Sequence, residues 1–295
     1  MNLDELLLNE RTSVLVDQYL KNPTHAMILI GPTGAGKQAL AERLASKLLG
    51  LNDSSKLTSY AYFDLIEKQA KKQDISIDAI RKVIHESELV IPGAQKIKRV
   101  ILIVNAGDLS LPAQNALLKI LEEPPIGTVF ILTAASEHDV LPTIGSRVQK
   151  IEVGPVGFEA AKSHFSDTYS SENTESAWRL SHGYIGLMTS LLSDDSEHPL
   201  KQAVEQAKKV LQAKDTFERQ LVISEISEDK EQFKYSLQAL DLILAALLNN
   251  SLDKDKAASS KLLKQRREVK KLQEALAANG NLRLIAIQLA TNLRA

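Results

Sequence analysis

The sequence predicts an α/β domain built on a parallel sheet, followed by a wholly helical C-terminal half. Three observations carry that expectation. Residues 25 to 50, HAMILIGPTGAGKQALAERLASKLLG, read as a buried strand, a glycine-rich turn and an amphipathic helix. KRVILIV (98 to 104) and TVFILTAA (128 to 135) are continuous apolar runs, which mark strands covered on both faces of a parallel sheet. Beyond Gly154-Pro155, every periodic segment is helical.

Taken in order, residues 3 to 20 predict a helix with Leu3, Leu6, Leu7 and Val14 on its apolar side, closed by Asn22-Pro23. The strand, turn and helix of 25 to 50 follow. Leu40, Leu44 and Leu48 repeat on one helix face, and Gly50 is a natural stop. LNDSSKLTSY is polar and turn-rich, AYF (61 to 63) suits a short strand, and Asp64 to Lys72 reads as helical or mobile. ISIDAIRKVIHESEL (75 to 89) places Ile77, Ile80 and Ile84 in helical register, with Pro92-Gly93 before the next strand. After that strand, Ser110 caps a helix with Pro112 in its first turn, and Pro124-Pro125 stop it. KIEV (150 to 153) is the last strand. FEAAKSHF, SAWRLSHG and IGLMTSLLS then form a small helical part to about Ser196, and PLKQAVEQAKKVLQ, FKYSLQALDLILAALLNNS, SSKLLKQRREVKKLQEALAANG and LRLIAIQLATNL a bundle to the end.

The chemistry is concentrated in the first turn. Gly31, Gly36 and Lys37 satisfy the phosphate-binding pattern G-x-x-x-x-G-K, spanning Gly31, Pro32, Thr33, Gly34, Ala35, Gly36 and Lys37. A polyphosphate must be wrapped by several backbone N–H groups that no Cβ obstructs, at the positive end of a helix, with an ammonium reaching its outer oxygens. Three glycines and a lysine before a helix meet that need better than a solvated lysine on a tight turn would. One position departs from it: the hydroxyl that should follow the lysine to hold Mg²⁺ is Gln38.

Composition sets the bounds. The chain has 295 residues, 44% apolar and 25% charged, with no cysteine, which excludes disulfides, thiol catalysis and cysteine zinc sites. Net charge is −1, so no overall field would hold nucleic acid unaided. Residues 251 to 295 nevertheless carry ten Lys/Arg against four Asp/Glu. In that region the run KLLKQRREVKK (261 to 271) reads as a solvated helix face or a charged subunit contact in preference to a DNA surface, because no aromatic residue interleaves it. The six histidines have no ligand spacing, so no metal site is expected. No apolar run is long enough for a membrane span and the N-terminus lacks a signal-peptide core; a cytoplasmic protein is expected.

QNALLKILEEPP (114 to 125) followed by LPTIGSR (141 to 147) resembles the clamp-loader family of AAA+ proteins, and within it the bacterial delta-prime group. ISIDAIRKVI (75 to 84) and NGNLRLIAIQL (279 to 289) are similar to further segments of that family. The resemblance implies a RecA-like AAA+ module over 1 to 154, a helical lid over 155 to 196 and a helical collar over 197 to 295. It implies hetero-oligomeric assembly with clamp-loader ATPase subunits and a delta-like subunit, acting on a sliding clamp and primed DNA. It also implies which groups should do chemistry. Active members place Asp-Glu where this chain has Val104-Asn105, and an arginine where it has Leu187. With Gln38, four catalytic positions have lost their chemistry together. The cysteines of the family's zinc module are absent as well. Arg147 is retained, in Ser146-Arg147-Val148, at the position from which the family's arginine reaches a neighbour's ATP site.

The reading that follows is a non-hydrolysing subunit that offers Arg147 in trans and holds ATP or ADP, if at all, without turnover. The bland alternative for Arg147 is an intramolecular salt bridge, and Glu122 and Glu123 read as helix-end carboxylates. An active clamp-loader ATPase of the gamma/tau type is the first rival and would need Asp108 to hold Mg²⁺. A nucleoside kinase is the second, disfavoured because a hydrophobic helical tail follows the sheet where an arginine-rich lid would be needed.

Overall fold

The computed structural model describes residues 6–51, 53–69, 72, 74–87, 91–92, 95–193, 199–251, 256–278 and 280–293. The chain divides into two compact units: residues 1–160 with 184–186, and residues 161–183 with 187–295. The sequence boundary near Ser196 lies outside the described residues.

The first unit is a five-stranded, all-parallel sheet in the order β2-β3-β4-β1-β5, with β1 Ala26–Ile30, β2 Phe63–Ile66, β3 Arg99–Ile103, β4 Thr128–Ala134 and β5 Gln149–Glu152. The central strands β3 and β4 are buried at every residue, which is why they read as unbroken apolar runs. Alternate residues feed two cores. Ile28, Ile101, Ile103, Phe130 and Leu132 face one side with Ile80, Leu117 and Ile120 from the helices α3 (Ile77–Ser87) and α4 (Leu111–Glu122). Met27, Leu29, Leu102 and Ile131 face the other with Val16 and Tyr19 of α1 (Glu10–Lys21) and Leu40 and Leu44 of α2 (Lys37–Leu48).

Two expectations in this unit are corrected. The first helix starts at Glu10, not residue 3: Asn9 caps it through Oδ1 on the Arg11 N–H, and residues 7 to 9 are not helical. The second strand is Phe63–Ile66, so part of the stretch read as helical or mobile is paired with β3 (Phe63 beside Val100, Ile66 beside Ile103). Asp64, polar and half-buried, and Leu65, apolar but exposed, hid it: an edge strand need not be apolar throughout.

The remaining helices are α5 (Pro142–Gly145), α6 (Phe158–Phe165), α7 (Ser171–Ser181), α8 (Ile185–Leu192), α9 (Pro199–Gln212), α10 (Thr216–Ile226), α11 (Lys230–Ser251), α12 (Lys256–Ala277) and α13 (Leu282–Asn292). Every regular element among the described residues of the second unit is a helix, and its core is formed by Val204, Phe233, Leu237, Leu244, Val269, Leu272, Ile285 and Leu289, among others. The helix α10 had no sequence signal beyond its Asp215 cap, because both faces carry apolar residues: Ile223 and Ile226 are buried while Phe217 and Leu221 are exposed. The Arg219 side chain is also buried, donating to the carbonyls of Ala213 and Ala290 near the ends of α9 and α13. Guanidinium donors suit helix C-terminal carbonyls, which leave the ladder unpaired and carry partial negative charge.

Candidate functional site: the phosphate loop and Arg147

The loop between β1 and α2 has the backbone of a phosphate cradle. Gly34 (φ +83°) and Gly36 (φ +86°) are both in the left-handed region, and α2 begins at Lys37 with Gly36 as its cap. Gly31 is needed for a different reason: a Cβ there would stand 2.9 Å from the Val153 carbonyl oxygen at the end of β5. Pro32 and Thr33 are exposed, and Ala35 is buried, its N–H bonded to the Pro32 carbonyl.

Lys37 does not point outward. Its Nζ donates to the Gly31 carbonyl at 2.6 Å and the Pro32 carbonyl at 2.9 Å. Burial pushes its pKa down to about 8, partly opposed by the charge of Asp139. The segment 184–186, in the same unit, closes on this loop. A Cβ on Gly186 would meet the Gly34 carbonyl oxygen at 2.7 Å and the Gly36 nitrogen at 3.0 Å. A Cβ on Gly36 would meet Ile185 Cγ2 at 3.0 Å.

The metal-binding half of an ATP site does not fit. Gln38 lies along its own helix, Nε2 donating to Glu42 Oε1 at 3.0 Å. Val104 and Asn105 directly follow β3, and neither is a carboxylate. Asn105 has φ +55°, a conformation asparagine tolerates better than most residues. Its N–H donates to Thr133 Oγ1 at 2.7 Å, and its Nδ2 to Asp108 Oδ2 at 2.6 Å. Asp108 is thus committed at both oxygens, since Lys68 Nζ sits 3.2 Å from Oδ1. Leu187, on α8, is 5% exposed and apolar. Among the described residues no group of three His, Asp or Glu is placed to hold a metal ion.

Arg147 lies in the turn between α5 and β5. Its Nη2 pairs with Glu122 Oε1 at 2.7 Å, and its Nη1 donates to the Thr143 carbonyl at 2.9 Å and Ser146 Oγ at 3.3 Å. The intramolecular salt bridge therefore exists, and Glu122, read as a helix-end carboxylate, is its partner. Both ends stay accessible, the side chains being 34% and 52% exposed. A carboxylate on the last residue of a helix opposes the macrodipole, and the guanidinium beside Glu122 offsets that cost. The sequence reading missed Gln114. This buried side chain accepts from the Leu141 N–H at 2.8 Å and donates to the Leu109 carbonyl at 3.3 Å, tying α4 to the residue that starts α5 and so to the Arg147 turn. A glutamine amid the apolar face of QNALLKIL was the one available signal.

A family model described as DNA polymerase III, delta subunit, matches residues 9–157, which is half of the chain. The chain belongs to this family. Among curated members, the DNA polymerase III subunit delta' of Pseudomonas aeruginosa is 37% identical over 138 residues, covering 42% of this chain and 41% of that protein. The Escherichia coli subunit delta' is 29% identical over 189 residues, covering 58% and 55%. The chain thus aligns with about half the length of these delta-prime relatives. Its fold is that of a DNA polymerase III gamma subunit-related protein from Thermotoga maritima, with TM-score 0.56 at 17% identity over 97% of this chain and all of the other. The RuvB Holliday junction branch migration motor of the same organism superposes with TM-score 0.51 at 14% identity, covering 99% and 88%. The expected delta-prime-like character and the α/β fold, a parallel sheet followed by a helical C-terminal region, are both borne out.

Proposed function

We propose that this delta-prime-like chain is a non-hydrolysing subunit of the DNA polymerase III clamp loader, which places a sliding clamp on primed DNA, and that it lends Arg147 to the ATP site of a neighbouring ATPase subunit. It works in the cytoplasm as a hetero-oligomer, with residues 1 to 154 as AAA+ module, 155 to 196 as lid and 197 to 295 as collar. A delta-like subunit completes the assembly.

The observation that carries this reading is the contrast between two sites in one unit. At Gln38 and Val104-Asn105 the chain's own cradle has no hydroxyl or carboxylate to hold Mg²⁺ or orient water, and Asp108, the carboxylate that would have to substitute, is occupied by Lys68 and Asn105. Arg147, by contrast, keeps a guanidinium that is anchored and still accessible. ATP bound next door supplies a γ-phosphate whose charge grows on transfer. The role of Arg147 is to bring its planar donors to that charge, exchanging Glu122 for phosphate oxygen.

Nucleotide in the chain's own loop, ATP or ADP, would be held by backbone N–H groups of Gly34 and of Gly36 to Gln38, the Ala35 N–H being bonded to the Pro32 carbonyl. Lys37 would have to leave the Gly31 and Pro32 carbonyls to reach it. The loop is therefore a holder, and no step of hydrolysis runs through it.

The test is reconstitution. The chain, mixed with a gamma/tau-type clamp-loader ATPase subunit and a delta-like subunit, should form a stable complex on gel filtration and load clamps on primed DNA. Arg147→Ala should assemble normally and load slowly. A chain that joins no such complex would remove the proposal, and one whose Arg147→Ala form loads at full rate would remove the trans role.

A further inference from the structure

The second unit carries a cleft beside the basic run 261 to 271 whose occupant the clamp-loader reading does not name. Of about 560 Å³, it opens between α12 and α13, lined by Lys264, Arg267, Glu268 and Lys271 on one side and Thr291 and Asn292 on the other. Lys264, Arg267 and Lys271 are three and four residues apart, so they share one face of α12. Like charges at that spacing cost an isolated helix about 0.2–0.5 kcal/mol per pair. Within the cleft, only Lys271 has an ion-pair partner among the described residues: Glu268 Oε1, at 2.7 Å. The Glu268 carboxylate is closed off on its other oxygen by Asn292 Nδ2 at 3.3 Å. Lys264 and Arg267 line the cleft with no carboxylate paired to either among the described residues.

The opposite wall continues into apolar surface. Thr291 shares its face of α13 with Ile287 and Leu284, four and seven residues earlier, and these two large side chains are 43% and 60% exposed. Cations along one wall and branched aliphatic side chains along the other are a poor match to a nucleic-acid backbone. None of the lining residues is aromatic, so bases would have nothing to stack on. The combination suits a peptide segment that carries carboxylates on one side and aliphatic side chains on the other.

We propose that the α12–α13 cleft is a docking site for an acidic, aliphatic segment of a protein partner, with Lys264 and Arg267 receiving its carboxylates and Leu284 and Ile287 its apolar side chains. Affinity comes from the apolar contact, and register from the charge pairs. This does not depend on Arg147 or on the phosphate loop.

The full chain can be tested alone by fluorescence anisotropy at physiological salt with three labelled probes: a Glu/Leu amphipathic peptide, an all-Glu peptide of equal charge, and single-stranded oligothymidine. The Glu/Leu peptide should bind best. The double variant Lys264→Glu/Arg267→Glu should weaken it by about tenfold or more, as expected for breaking complementary charge at an interface. Leu284→Ser/Ile287→Ser should weaken the same probe while leaving the all-Glu peptide unchanged. Melting curves should match the parent for both variants, since all four side chains are exposed. Equal binding of all three probes would show a general polyanion patch and overturn the proposal, as would preferential binding of oligothymidine. Unaltered binding of the Glu/Leu peptide by either variant would overturn it too.

Discussion

Replacing Arg147 by alanine should separate stability from catalysis by several orders of magnitude. In the folded chain the guanidinium makes one ion pair and two hydrogen bonds, all at an accessible site. An exposed ion pair is worth ~0–1 kcal/mol. Hydrogen bonds open to water fall at the low end of ~0.5–1.5 kcal/mol. Removing Arg147 also leaves Glu122 unpaired at a helix C-terminus, a further few tenths at most. Together these amount to about 1–2 kcal/mol, or a fall of about 2–8 °C in melting temperature for a domain of this size. A guanidinium delivered to a neighbour's γ-phosphate is worth ~10³–10⁵ in rate, which is about 4–7 kcal/mol. The assay pairs a thermal melt of the isolated chain with steady-state ATP hydrolysis by the reconstituted clamp loader. The expected pattern is a small melting shift, normal assembly, and a large drop in the share of hydrolysis that depends on this interface. Arg147→Lys should restore the melt but little of the rate, because the planar fork is lost. A rate within twofold of the parent in a fully assembled complex would refute the reasoning. A melting fall beyond about 10 °C would too, since Arg147 would then be structural.

Three further outcomes follow from the same geometry. Glu122→Gln removes both an exposed pair and an unfavourable helix-end charge, so stability should change by less than about 0.5 kcal/mol; any effect on the complex's hydrolysis should vanish in the Arg147→Ala background, which a double-mutant cycle measures. Gln114→Leu leaves the Leu141 N–H without its buried acceptor and should cost about 1–3 kcal/mol, read as a lower denaturant midpoint, with slower hydrolysis by the complex as the Arg147 turn loosens. Lys37, with its pKa near 8, should lose its proton well below the ordinary lysine value of 10.5. Pyrophosphate or ATP binding to the isolated chain, followed by calorimetry, should therefore weaken as pH rises from 7 through 9, and Lys37→Met should abolish that dependence. The linked effect on stability has the opposite sense: between pH 8 and 10.5 the unfolded chain binds more protons than the folded one, so stability from this group rises with pH.

The parts of this fold that were legible in the sequence are those where one force dominates. β3 and β4 are buried on both faces, and unbroken apolar runs announce them. The α4 boundaries follow from Ser110, Pro112 and Pro124-Pro125, which act locally through capping and steric exclusion. β2 was misplaced by two residues because its edge position leaves Asp64 half-buried and Leu65 exposed, so neither alternation nor a run is visible. The start of α1 was set too early because Leu6 and Leu7 fit a helical face as well as they fit an irregular lead-in, and only the Asn9 cap decides; Leu3 lies outside the described residues. At the site, the phosphate loop could be read from residue spacing, since backbone conformation is encoded by glycine. The Glu122–Arg147 pair, the Gln114 bridge and the approach of Gly186 to the loop join residues from 25 to 150 positions apart, and local pattern does not report such contacts.

Steady-state ATP turnover by the purified chain, in Mg²⁺ and without other subunits, tests the central claim most directly. On the proposed reading Gln38, Val104-Asn105 and Leu187 stand in place of catalytic groups; with Asp108 bound by Lys68 and Asn105, hydrolysis should not rise above the no-enzyme background. Turnover at the rate of an ordinary AAA+ enzyme, lost on Lys37→Ala or Asp108→Asn, would contradict the account.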